Sequence, residues 1–145
     1  MEQEGNCWIW HNAKVFDNAK IFHDAIACEN VRIWGNAKVY HNAVVHDNAE
    51  VYDNAKVYDN ARVYGFTNIR GDAEIKSDKD YAVFRNTWSS GRYFTWTRSN
   101  NKWDVGCFYG TGEELIEKAY QDSKLSGKCY EAIVKTQEEI SKLIK

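Results

Sequence analysis

Proline is absent from the 145 residues, methionine occurs once, and no apolar run is long enough to span a bilayer. Without proline, no backbone position lacks an N–H, which suits a stack of strands in which nearly every amide is bonded. No leader pattern or lipidation motif is recognisable, so the expected location is the cytoplasm. Cys7, Cys28, Cys107 and Cys129 have no paired spacing, which excludes a disulfide scaffold and fits reduced thiols. Charge of one sign is lacking too: the net charge is −2, and neither 1–76 nor 77–145 is strongly basic or acidic. That excludes a nucleic-acid binder of the highly basic kind. Phosphate-cradling loops, nucleophile elbows and paired-carboxylate motifs do not occur.

What is present is a repeat. From Gly5 to Lys76 twelve hexads follow one another without insertion: GNCWIW, HNAKVF, DNAKIF, HDAIAC, ENVRIW, GNAKVY, HNAVVH, DNAEVY, DNAKVY, DNARVY, GFTNIR and GDAEIK. The fifth place is Ile or Val except at Ala27, and the third is Ala except at Cys7, Val31 and Thr67. Asn fills the second place except at Asp24, Phe66 and Asp72. A period of six cannot line one face of a helix, because 3.6-residue geometry would carry the aliphatic position around the axis. Places four to six, as in Lys14-Val15-Phe16, alternate outward, inward, outward as a strand does. The next three residues turn a corner. Asn, tolerant of the left-handed region, is expected to make that turn, and Ala fits its narrow inner side. Three strands and three corners close one coil in eighteen residues, so the segment predicts about four coils.

An aliphatic residue followed four places later by a small one (Val15/Ala19, Val39/Ala43, Val51/Ala55) resembles the hexapeptide-repeat, left-handed parallel β-helix family. The resemblance covers about half the chain and implies the left hand, where general crossover rules would favour the right. The N-A-x-V-Y-x flavour, opening at EGNCWIW, is similar to hexapeptide-repeat proteins of phages and prophages, which brings no activity with it.

Folding the sequence at eighteen gives three faces. Face one stacks Trp8, Ile26, Val44 and Arg62 beside Trp10, Cys28, His46 and Tyr64; face two stacks Lys14, Arg32, Glu50 and Asn68 beside Phe16, Trp34, Tyr52 and Arg70. Face three stacks Lys20, Lys38, Lys56 and Glu74 beside Phe22, Tyr40, Tyr58 and Lys76. On face one Trp8, Trp10, Ile26, Val44 and His46 form an apolar stripe on outward positions, as an interface does. Its cover is expected to be the C-terminal helix or another subunit, and a homo-oligomer is the expected assembly. The lysine column Lys20, Lys38 and Lys56, with aromatic neighbours, is a candidate anion site, against the commonplace reading as a solvated face.

The repeat ends at Lys76, giving a β-helix over 1–76 and a second module over 77–145 that begins with the linker SDKD. Tyr81–Asn86, Arg92–Ser99 and Lys102–Tyr109 read as strands of an antiparallel meander. Thr111 and Glu114 make a capping box opening one helix, and Ser126-Gly127 starts a second. The fold class is therefore mainly β: a parallel β-helix followed by a small α+β (βββαα) module that caps the open end of the coil. Arg85, Trp96, Arg98, Asn101 and Trp103 are candidate binding residues, since aromatics interleaved with basic groups on a sheet stack bases and neutralise phosphate. The competing reading is core packing.

Hexapeptide coils resemble acyltransferases, which implies a His near a subunit interface as general base, and His41 and His46 have the H-x4-H spacing of γ-class carbonic anhydrases. His23 and His41 stack at one corner with no third ligand in the same chain, so no bound zinc and no cofactor are expected. Corner places here alternate Gly, Asp, Glu and His, which makes a hydrophilic corner residue the plainer explanation. No loop breaks the repeat to cover an acyl donor, and a Thr-x-Thr ice-binding face is excluded because the coil holds only Thr67. The expectation is a non-catalytic binding protein acting on a host protein or an anionic, nucleotide-like ligand, in a phage counter-defence setting that the resemblance suggests. An acyltransferase or zinc hydro-lyase, and a purely structural oligomer, remain the alternatives.

Overall fold

The computed structural model describes residues 2–144. Their first half is a β-solenoid of about four coils. Face one is the sheet of β2 (Trp8–Ile9), β5 (Ile26–Ala27), β8 (Val44–Val45) and β11 (Arg62–Val63). Face two holds β3 (Lys14–Val15), β6 (Arg32–Ile33), β9 (Glu50–Val51) and β12 (Asn68–Ile69). Face three holds β1 (Glu2–Glu4), β4 (Lys20–Phe22), β7 (Lys38–Val39), β10 (Lys56–Val57) and β13 (Glu74–Ile75). All pairings within these sheets are parallel with an eighteen-residue register, as in Ile26↔Val44 and Ile33↔Val51. From Ile21 to Ile75 the fifth place of every hexad is fully buried, Ala27 included, and the Ala of the third place lines the same core.

The corner differs from expectation in one respect. The left-handed residue is the first of each hexad, not the Asn that follows: His11, Asp17, His23, Glu29, His41, Asp47, Asp53 and Asp59 have φ between 56° and 64°. Asp and His tolerate this region among non-glycine residues, and Gly takes the same place at Gly35, Gly65 and Gly71. Asn instead ties coils together. The Asn36 backbone N–H donates to Asp53 O at 2.7 Å, and its Nδ2 donates to Asn54 Oδ1 at 3.3 Å.

Parallel stacking leaves both N–H and C=O groups unpaired at the end of the coil. Trp8 N donates to Ala25 O, Ile26 N to Ala43 O and Val44 N to Ala61 O, so the strand-opening amide of each coil donates to the coil after it. The last coil lacks a following coil to bond, and the C-terminal module supplies partners, the Tyr81 hydroxyl donating to Arg62 O at 2.7 Å and several side chains accepting from its amides. Arg62 N donates to Asp78 Oδ1 (3.0 Å), Asn68 N to Thr95 Oγ1 (3.1 Å), Glu74 N to Ser99 Oγ (2.8 Å) and Lys76 N to Asp80 Oδ2 (2.9 Å). One side chain thus meets each of the three sheet edges, which blocks further strand addition.

The module begins with a short 3-10 turn, Asp78–Asp80, capped by Ser77. Four antiparallel strands follow: β14 (Tyr81–Arg85), β15 (Tyr93–Thr97), β16 (Lys102–Val105) and β17 (Phe108–Gly110). The third expected strand is two, because Gly106, at φ 58°, turns the chain back on itself. Helix α1 (Gly112–Asp122) carries the Thr111/Glu114 capping box, and α2 (Lys124–Leu143) starts earlier than Ser126 because Ser123 caps it through Ser126 N. A Cβ at Gly127 would stand 2.2 Å from Tyr120 Cδ1, so glycine lets the two helices close.

Candidate functional site

Face one is bare. Trp8 is 65% exposed and Trp10 48%, while Ile26, Val44 and His46 are half-buried by their own coil. Neither helix covers it: α1 and α2 pack on the antiparallel sheet, where Leu115, Ala119, Tyr130 and Val134 close over Phe94, Trp96 and Trp103. The expected cover by the C-terminal helix is thereby overturned: Tyr130 and Val134 pack in the module's own core, and Ile140 and Leu143 stay exposed. The stripe continues through Tyr64 and Phe66 of the last coil to Tyr93 of the module, with the Phe66 and Tyr93 rings stacked at 4.9 Å. At its foot Tyr64, Phe66, Tyr81, Val83 and Tyr93 line a shallow hollow of about 460 Å³.

The lysine column of face three forms as expected, with Lys20 paired to Lys38 and Lys38 to Lys56 in register. Its aromatic neighbours are unsuited to stacking on a ligand. Phe22, Tyr40 and Tyr58 stack on one another at 4.8 and 5.1 Å with rings 5° apart, so only ring edges face outward. The same holds on face two for Phe16, Trp34 and Tyr52. The eighteen-residue register aligns identical places face to face, consuming the π surfaces that a base would need. At the corner beside the lysines the His23 and His41 rings stack at 5.1 Å, and His41 Nδ1 lies 2.9 Å from Asp59 Oδ1.

The meander residues are mostly structural. Trp96 and Trp103 are 4% and 2% exposed, which contradicts their expected role as a binding surface. Strand β15 is covered on both sides. Phe94 and Trp96 face the helices, whereas Thr95 bonds the last coil and Thr97 Oγ1 donates to Asn100 Oδ1. Asn101 is exposed but its Oδ1 accepts from Trp96 Nε1 at 2.9 Å, holding the turn. Arg98 is half-buried, its Nε donating to Lys79 O and its guanidinium lying 5.6 Å from the Trp96 ring. Arg85 is exposed, its guanidinium 5.8 Å from the Tyr93 ring and its Nε donating to Gly91 O.

Two polar clusters escape hexad reasoning. At the junction of the halves Arg70 lies 5.4 Å from the Tyr52 ring and 4.5 Å from the Tyr109 ring, facing buried Asp104 at 3.8 Å. Burial pushes the Asp104 carboxyl up to about 6, against the pull of Arg70 and the Tyr52 hydroxyl, which donates to it. Tyr52 in turn is raised by burial first and by Asp104 next.

The other cluster lies at the corner between faces one and two. His46 Nδ1 stands 3.0 Å from Asp47 Oδ1 and 3.8 Å from Glu29 Oε1. The His46 contact holds the Asp47 carboxyl below its ordinary range, while burial pushes the neighbouring Cys28 thiol up. Folding at eighteen does stack Glu29 over Asp47; what it hides is that His46, a face residue, swings to that corner. His41 and His46 therefore have separate partners at separate corners, and the pair does not fit a zinc site of the γ-carbonic-anhydrase kind.

A family model described as YdcK Beta solenoid repeat matches residues 31–47. No curated protein and no solved structure matches the chain. No helix among the described residues is long and apolar enough to cross a membrane. Parallel coils, their buried fifth place and the matched segment together make this a β-solenoid repeat protein.

Proposed function

We propose that this protein is a non-catalytic binding protein that docks another protein on face one. The observation that carries the reading is the apolar stripe on which exposed Trp8, Trp10, Tyr64, Phe66 and Tyr93 flank half-buried Ile26 and Val44. Apolar surface held on outward positions of a rigid coil is costly to leave in water, and its burial contributes about 25 cal/mol per Å². Trp and Tyr are also the residues that dominate protein interfaces. The likeness of the hexads to phage and prophage hexapeptide-repeat proteins supports a partner in a host cytoplasm, where a small rigid inhibitor of host defence fits. A nucleotide-like anion has less support, because the ring faces beside Lys38 and Lys56 are occupied. The enzyme alternative draws on His41, oriented by Asp59, yet no loop rises from the coil to cover a substrate there.

The test pairs wild type with the double variant Ile26→Lys, Val44→Lys in sedimentation and in capture from host lysate. A monomer that retains a host protein, lost in the folded double variant, supports the reading. A wild-type mass of two or more chains that falls to one in the variant assigns the stripe to self-association, the homo-oligomer. Identical mass and identical capture in both proteins overturn a role for face one.

A further inference from the structure

We propose that Glu29, His46 and Asp47 bind a divalent first-row transition ion, with zinc as the representative, at the corner between faces one and two. One ligand atom from each side chain lies within 4.8 Å of the others. Donors around a tetrahedral zinc with bonds of 2.0–2.2 Å stand about 3.4 Å apart. The observed separations of 3.0 Å (His46 to Asp47) and 3.8 Å (His46 to Glu29) bracket that value, so closure on an ion needs only small side-chain adjustments.

The donors are oriented by the fold. Asp47 Oδ2 accepts from Gly65 N at 3.1 Å, which turns Oδ1 toward His46. The His46 ring is stacked on Tyr64 at 5.3 Å with planes 14° apart, so its Nδ1 direction is fixed by packing as well as by the carboxylates. Glu29 and Asp47 occupy the same place in successive coils, with φ of 64° and 62°, and their side chains leave the backbone in the same direction. The repeat thus sets two carboxylates side by side. Like charges so close disfavour each other, and an imidazolium compensates one of them, whereas a divalent ion compensates both.

The donor set also selects the ion. One imidazole and two carboxylate oxygens suit zinc, cobalt or manganese better than calcium, which takes six to eight oxygens, and three protein donors leave the remaining positions to water. The other histidine corner is built differently. His23 and His41 stack with planes 2° apart, so their nitrogens lie in parallel planes and do not converge on one point. His46 borders the face-one stripe, but the proposal stands on the corner geometry alone and holds whether or not a protein docks there.

The experiment uses the full untagged chain titrated with zinc chloride and, for a spectroscopic signature, cobalt chloride. One equivalent is expected to bind, with visible cobalt absorption of a site containing an imidazole. Loss of a direct ligand in His46→Gln or Glu29→Gln is expected to weaken zinc by at least about tenfold, while His41→Gln leaves it within about twofold. All three substituted residues lie on the outside of the coil, and unchanged melting of Glu29→Gln without metal checks that its loss is local. Absence of binding in wild type, or loss that follows His41 rather than His46 and Glu29, overturns the proposal.

Discussion

Val51 and Thr95 are both buried residues of short strands, and their surroundings arise in different ways. Val51 is inside because it holds the fifth place of a hexad, and the same place is inside in every coil below the first. Thr95 is inside because one side of β15 meets the helices and the other meets the end of the solenoid. The first kind of burial follows from local period. The second depends on a docking event between segments, and no alternation along β15 announces it. A solenoid therefore tolerates reading one residue at a time, whereas the module has to be read against its neighbours.

The contrast is broken most forcefully by placing a charge at an inward place. Val51→Asp buries an unpaired carboxylate at a fully enclosed site and is expected to cost more than about 4 kcal/mol. Loss of the parallel β signal in circular dichroism checks this, and a folded, soluble variant would mean that the coil relaxes there.

Asp104 joins the two regions, and its carboxyl is raised to about 6 from 3.8. A raised carboxyl contributes stability that is present below pH 4 and lost as pH rises through about 6. Asp104→Asn removes this loss. Melting at pH 4 and pH 7 should show the variant gaining on wild type by no more than about 3 kcal/mol over that range. A constant difference at both pH values would show that Arg70 and Tyr52 fully offset burial.

Thr95→Val keeps shape but removes the acceptor of Asn68 N, and an orphaned amide at the sheet edge is expected to cost about 1–3 kcal/mol. Denaturant unfolding of this variant beside Ser99→Ala tests whether the module caps the coil through these side chains. No change in either would assign the cap to simple coverage.

The smallest effect belongs to a corner. Gly35→Asp is expected to cost about 1–2 kcal/mol, since its Cβ would stand 3.0 Å from Asp53 N, and no more because Asp17, Asp47, Asp53 and Asp59 hold the same place at φ of 56° to 62°. A larger loss would show that the coils are less equivalent than their repeat.

Much of the site was hidden by the same logic. The stripe of Trp8, Trp10, Ile26, Val44 and His46 was legible, because outward places in a repeat are known from register. Its cover was not, since the helices had two apolar surfaces to choose from and took Phe94, Trp96 and Trp103. Those tryptophans looked like a ligand platform for the reason that makes them good core: large area and a polar N–H that Asn101 satisfies in Trp96.

The hexad by itself determined the coil, its three faces, the inward aliphatic column and the lysine and aromatic ladders, because parallel stacking converts a period of eighteen into vertical neighbours. Tertiary structure alone decided that the ladders present ring edges, that both sides of β15 are covered, that side chains from 78 to 99 close the open end of the coil, and that His46 turns to Glu29 and Asp47. These depend on side-chain direction and on contacts between segments far apart in the chain, and neither is encoded in the spacing of residue types.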